Sequence, residues 1–180
     1  RRQRQMCIRD RLNTLGLRPF TLLINILSST SKKIKDVFSR AVQLDHAEIV
    51  DLLLASGTDL KAKLDGLLHQ VKSVEVANLL IENGANVNAN SQFGGTPLHS
   101  IISHRSLEMN QNNTVQLVGL LITKGANVNA VNGQGRTPLD LLYSSGMPGN
   151  PAAEATAPSG PLAELLRKHG GKTGMEIGNE

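Results

Sequence analysis

Apolar residues recur along this chain in short clusters, each followed at a fixed distance by glycine. Leu52-Leu53-Leu54 precedes Gly57, Leu79-Leu80-Ile81 precedes Gly84, Leu120-Leu121-Ile122 precedes Gly125, and Leu165-Leu166-Arg167 precedes Gly170. Ile49, Val76, Leu117 and Leu162 lie one helical turn before each cluster. The resulting i, i+3, i+4 stripe predicts an amphipathic helix of about ten residues. The glycine suits the left-handed position that ends a helix, where a side chain would clash.

A second kind of helix start lies between these endings. Thr96-Pro97-Leu98-His99 is followed 41 positions later by Thr137-Pro138-Leu139-Asp140. Threonine accepts from free backbone N–H groups at a helix start, and proline fits the first helical position, which needs no donor. The hexapeptide Gly84-Ala85-Asn86-Val87-Asn88-Ala89 returns unchanged as Gly125-Ala126-Asn127-Val128-Asn129-Ala130 at the same offset. Between hexapeptide and helix start lie the turn-forming segments 90–95 and 131–136, rich in Asn and Gly. The unit is therefore helix, short connection, helix, turn-rich finger. A pair of helices this small cannot bury its apolar stripe alone, so neighbouring units must stack.

These residues resemble the ankyrin repeat family. The resemblance rests on the Gly-x-Thr-Pro-Leu-His opening and the Leu-Leu-x-x-x-Gly-Ala-x-Val-Asn-Ala ending, most fully in repeat three, from Gly94 to Ala130. Repeat four keeps Gly135-Arg136-Thr137-Pro138-Leu139 but has Asp140 where the family has His. Repeat two keeps Leu68-His69 of the opening and has a shortened finger, poor in Asn and Gly, from Thr58 to Asp65. Repeat one retains Ala41, His46 and the Leu52–Gly57 ending. The resemblance implies an all-α solenoid of stacked helix-turn-helix units with short β-turn fingers, in which His99 and His69 bond within and between repeats. Arg167, in place of the third apolar residue of the cluster, marks repeat four as a C-terminal cap, and Lys168 and His169 suit the negative end of the helix dipole. Repeats three and four also carry extra residues between their helices, at Arg105–Asn112 and Gly146–Gly160; the second, with three prolines, reads as a mobile loop.

Residues 1–11 change the composition argument. Arg1 to Arg11 resemble the translation of a transposon-end adapter from tagmentation sequencing libraries, residue for residue, and are set aside as an artefact. Without them 14 Lys and Arg face 14 Asp and Glu, in place of 19 against 15, so the formal charge falls from +4 to zero. A basic surface for nucleic acid or an anionic membrane is then no longer implied. Cys7 goes too, which removes disulfide and thiol chemistry and leaves the redox compartment open. Phe20, Phe38, Phe93 and Tyr143 are the only aromatics, so the core must be aliphatic and base-stacking platforms are missing. The adapter also implies that the natural chain continues upstream. The chain divides into the artefact 1–11, an undetermined segment 12–32 that could belong to an upstream repeat, the array 33–174 and a tail 175–180. The apolar run Phe20–Leu27 is too short to span a bilayer.

Three chemical motifs fail on inspection. Gly170-Gly171-Lys172-Thr173 suggests a phosphate loop, but the required first glycine falls on Leu166, inside a helix. His99 and His104 are five apart, which does not place both on one helical face as a metal pair. Gly133-x-Gly135-x-x-Pro138 ends in proline where a dinucleotide loop needs glycine. No catalytic site, cofactor or small-molecule substrate is expected. The expected function is non-catalytic binding of another protein, through finger tips and the concave surface of the first helices. Gln92, Phe93, Gln134 and Arg136 fall on the fingers by this alignment, and Ser103, His104 and Ser144 on the exposed side of the first helices. Two other readings stand beside it: the targeting arm of a larger enzyme or effector whose catalytic part lies upstream, and a structural or self-associating repeat protein.

Overall fold

The computed structural model describes residues 31–56, 61–92, 94–104, 111–142 and 160–178, and every regular element among them is helical. In chain order these are α1 (Ser31–Gln43), α2 (Ala47–Ala55), α3 (Lys61–Leu68), α4 (Val74–Glu82), α5 (Pro97–His104) and α6 (Gln111–Thr123). A single 3₁₀ turn follows (Asp140–Leu142), then α7 (Pro161–Lys168) and α8 (Gly174–Gly178).

The elements form two rows. Helices α2, α4, α6 and α7 pack in succession as one row; α1 packs on α3, and α5 on the 3₁₀ turn, in the other. Within the first three repeats the two rows are joined pairwise, α1 with α2, α3 with α4 and α5 with α6. This is the stacked helix-pair solenoid expected from the repeats. Helices of 9 residues, such as α2 and α4, fall below the roughly 12–15 residues at which an isolated helix becomes marginal in water. They persist because their apolar stripes are shared with neighbours. The middle leucine of each cluster, Leu53, Leu80, Leu121 and Leu166, is fully buried between adjacent helices, which contributes about 1.5–3 kcal/mol per side chain. Val50, Ala77, Val118 and Ala163 complete the buried stripe, while the flanking Leu79, Ile81, Leu120 and Ile122 are half-buried.

The predicted glycine stops are present. Gly84, Gly125 and Gly170 have φ of 100°, 93° and 80°. In each ending the next residue donates back across the last turn: Ala85 to Leu80, Ala126 to Leu121, Gly171 to Leu166. The glycine itself donates to Ile81, Ile122 or Arg167, which completes the Schellman pattern. Helix α1 ends the same way on a non-glycine residue, Asp45, at φ 60°. Aspartate tolerates this conformation better than most residues. Gly57 lies outside the described residues.

Four expectations change. The family alignment put Leu68-His69 at the opening of the first helix of repeat two, after a finger. Instead α3 occupies Lys61–Leu68 and His69 follows its last residue. The segment carries Lys, Ala and Leu, with Gly66 its one turn-favouring glycine, so helix formation wins where a finger would need turn residues. In repeat four, Thr137-Pro138 leads into a 3₁₀ turn rather than an α-helix among the described residues. The insertion before α6 is partly helical: Gln111 and Asn112 begin that helix, which reaches 13 residues. Residues 105–110 and 143–159 lie outside the described set, as do residues 1–30. Finally, the segment read as a tail forms α8 through Gly178, and Arg167 does not simply face water. Its guanidinium bonds Glu176 of α8 at 2.9 and 3.0 Å.

Candidate protein-binding surface

The fingers are built by two successive turns. In the first, Ala89 N–H donates to Asn86 and Ala130 N–H to Asn127, while the side chains of Asn86 and Asn127 accept from Asn88 and Asn129. In the second, Gly94 N–H donates to the Ser91 carbonyl at 2.9 Å and Ser91 N–H to the Gly95 carbonyl at 2.8 Å. Gly135, Asn132 and Arg136 repeat this at 3.0 and 2.9 Å. Gly94 and Gly135 sit at φ 76° and 75°. A turn closed by a left-handed glycine is the three-residue hairpin loop with a bulge, and it projects its central residues outward. The two loops lie side by side, since a β-carbon on Gly94 would come within 2.9 Å of Gly133 N.

Asparagines lock neighbouring repeats in register. Asn88 accepts from Asn127 N–H at 2.8 Å and donates to the Gly125 carbonyl at 2.9 Å. Asn129 repeats both contacts one unit later, with Lys172 N–H at 2.7 Å and the Gly170 carbonyl at 3.0 Å. Asp65, from α3, supplies the corresponding acceptor to Asn86 N–H at 2.7 Å. The sequence shows the unchanged hexapeptide; that its asparagines brace one repeat to the next is visible only in the structure. Their identical recurrence was the available signal.

Side-chain caps mark the two Thr-Pro-Leu openings and the start of α8. His99 Nδ1 accepts from Thr96 N–H at 3.2 Å and pairs with Thr96 Oγ1 at 2.9 Å, and Nε2 meets the Arg136 carbonyl of the next repeat at 3.0 Å. Because Nδ1 accepts a backbone N–H, the proton of the neutral ring sits on Nε2 and donates to that carbonyl. Asp140 plays the same part, accepting from Thr137 N–H at 2.8 Å and reaching forward to Gly174 N–H at 2.9 Å. Thr173 and Glu176 form a third such box at the start of α8. His69 also bridges repeats, but to Ser100 Oγ at 2.8 Å. Burial holds the pKa of both histidines below the usual value. The Arg136 and Ala130 carbonyls and Asp140 offset this in part for His99; the Ala89 carbonyl and Asp65 do so for His69. Glu176 is held below the usual carboxylate range by the Thr173 N–H and then by Arg167.

On this frame Gln92 and Gln134 are exposed on adjacent finger loops, and Ser103 is exposed on the last turn of α5. Arg136 differs from its expected place. It is half-buried at the finger base, in the position of Gly95 of the preceding unit, and among the described residues its Nε, which is buried, has no hydrogen-bond partner. His104 closes α5, its side chain lying outside the described residues together with Phe93 and Ser144. Among the described residues no group of three His, Cys, Asp or Glu side chains could hold a metal ion, and no helix is long and apolar enough to cross a membrane.

A family model described as ankyrin repeats (3 copies) matches residues 67–150. No curated protein matches the chain. Ankyrin repeats are in general protein–protein interaction modules and typically non-catalytic. The paired helices, left-handed glycine stops and bulged finger loops agree with that match, which supports assigning residues 67–150 to the ankyrin repeat family.

Proposed function

We propose that this chain recognises one protein partner through its finger loops and the adjoining face of the first helices. Gln92, Phe93 and Gln134 make the outermost contacts, with Ser103, His104 and Ser144 behind them. Arg136 acts from the finger base, where its guanidinium meets a carboxylate of the partner. The observation that carries this reading is the placement of exposed Gln92 and Gln134 on two abutting loops whose bases are braced from one repeat to the next. Side chains held this way lose little conformational entropy on binding, so contact energy goes into affinity. Phe93 is the strongest anchor by chemistry, because a large apolar side chain on a finger has little core to enter.

The test is capture of a partner by the 1–180 chain and by its variants. Phe93→Ala and Gln134→Ala each weaken binding by about 1 kcal/mol or more and leave the urea midpoint in place. Normal binding by both variants, combined with loss of binding on deleting 105–110 or 146–159, would move the site to the inter-helix insertions.

A further inference from the structure

We propose that Asn132 is a site of spontaneous covalent modification, in which its side-chain amide is lost through attack by the neighbouring Gly133 nitrogen. The chain holds two Asn-Gly pairs, Asn83-Gly84 and Asn132-Gly133, and the structure treats them oppositely. At the first pair both reacting groups are engaged. Gly84 N–H donates to the Ile81 carbonyl at 3.0 Å, and Asn83 Nδ2 donates to the Leu79 carbonyl at 2.8 Å. That nitrogen is the leaving group, and the helix ending fixes it away from reaction.

At the second pair the arrangement favours the chemistry. Gly133 is exposed in the finger loop, and among the described residues its N–H has no hydrogen-bond partner. Asn132 Oδ1 accepts two backbone N–H groups, from Gln134 at 2.9 Å and from Arg136 at 3.0 Å. These donors point at the oxygen on which negative charge develops when the amide carbon is attacked, so they stabilise that charge as an oxyanion hole does. Glycine also offers its nitrogen without a β-carbon in the way.

The steps balance without an oxidant. Water or hydroxide takes the Gly133 N–H proton as the nitrogen bonds to Asn132 Cγ. The tetrahedral intermediate expels Nδ2, which leaves as ammonia after protonation by water, and a five-membered imide remains. Water then opens the imide at either carbonyl. One opening gives aspartate; the other gives isoaspartate, with the main chain rerouted through Cγ. Aspartate keeps both N–H contacts and adds a negative charge at the Arg136 backbone N–H. Isoaspartate lengthens the backbone inside the Asn132–Arg136 loop and disrupts its two bonds.

The experiment is peptide mapping by mass spectrometry of the 1–180 chain held at mildly alkaline pH, sampled over weeks, with isoaspartate confirmed by enzymatic methyl transfer. Asn132 gains one mass unit at least about tenfold faster than Asn83 in the folded chain. In strong urea, where the turn and the helix ending are both lost, the two rates converge. Gly133→Ala slows the reaction at Asn132 and leaves Asn83 unchanged. Equal native rates, or a faster Asn83, would overturn the proposal, as would a rate at Asn132 that rises in urea.

Discussion

Replacing His99 by alanine removes the contacts that join the start of α5 to the following finger. The ring is buried and has three partners: Thr96 N–H, Thr96 Oγ1 and the Arg136 carbonyl. The threonine hydroxyl can turn to another acceptor. The Thr96 N–H cannot, and it costs about 1–3 kcal/mol when stranded, whereas the Arg136 carbonyl keeps the Asn132 N–H at 2.9 Å. With the lost packing of the ring, the expected loss is about 2–4 kcal/mol, a large part of the stability of a small domain. Urea unfolding followed by circular dichroism reads it as a midpoint shift. A pH series sharpens the test. Burial lowers the folded pKa of His99, so the unfolded chain binds the extra proton first. Its contribution is therefore complete above the unfolded value of 6.5 and declines as pH falls from there toward the lower folded value. His99→Ala flattens this acid slope, leaving the share that belongs to His69. A loss below about 1 kcal/mol with an unchanged acid slope would mean that the His99 ring does not hold this junction.

Other consequences follow from single positions. Gly94→Ala and Gly135→Ala both force a β-carbon into positive φ, at about 1–2 kcal/mol. Only the first meets backbone, at 2.9 Å from Gly133 N, so thermal unfolding shows the larger loss for Gly94→Ala; equal losses would mean that the finger loops do not abut. Asn129→Ala removes both bonds to the ending of α7, and amide exchange of Lys172 accelerates while that of Asn127 is unchanged; a change at neither would deny the brace. Leu121→Ala, in the shared stripe between α4, α6 and α7, costs about 2–5 kcal/mol in urea unfolding, and a smaller effect would place Leu121 outside the core.

Sequence periodicity located the second-row helices because their stripes and glycine stops are local properties, and both recur where predicted in α4, α6 and α7. The same reasoning misplaced the first helix of repeat two. Motif alignment favoured His69 as an opening residue, whereas the helix-forming composition of Lys61–Leu68 decided the outcome. Helix α8 was missed although Thr173-x-x-Glu176 has the spacing of a capping box, because five residues offer no stripe to detect. Exposure of Gln92, Gln134 and Ser103 was legible from the family alignment. The half-buried state of Arg136 was not, since burial at the finger base depends on packing between repeats that no local pattern encodes.

Site-specific photo-cross-linking distinguishes the finger face of the array from the second-row helices. A photoreactive residue is placed at Gln134 on a finger, or at Glu48 or Glu75 on the exposed surface of the second-row helices. Recognition by the fingers gives a covalent adduct with a protein partner from position 134 and none from 48 or 75. Adducts from 48 or 75 with none from 134 would contradict it and assign recognition to the opposite row of helices.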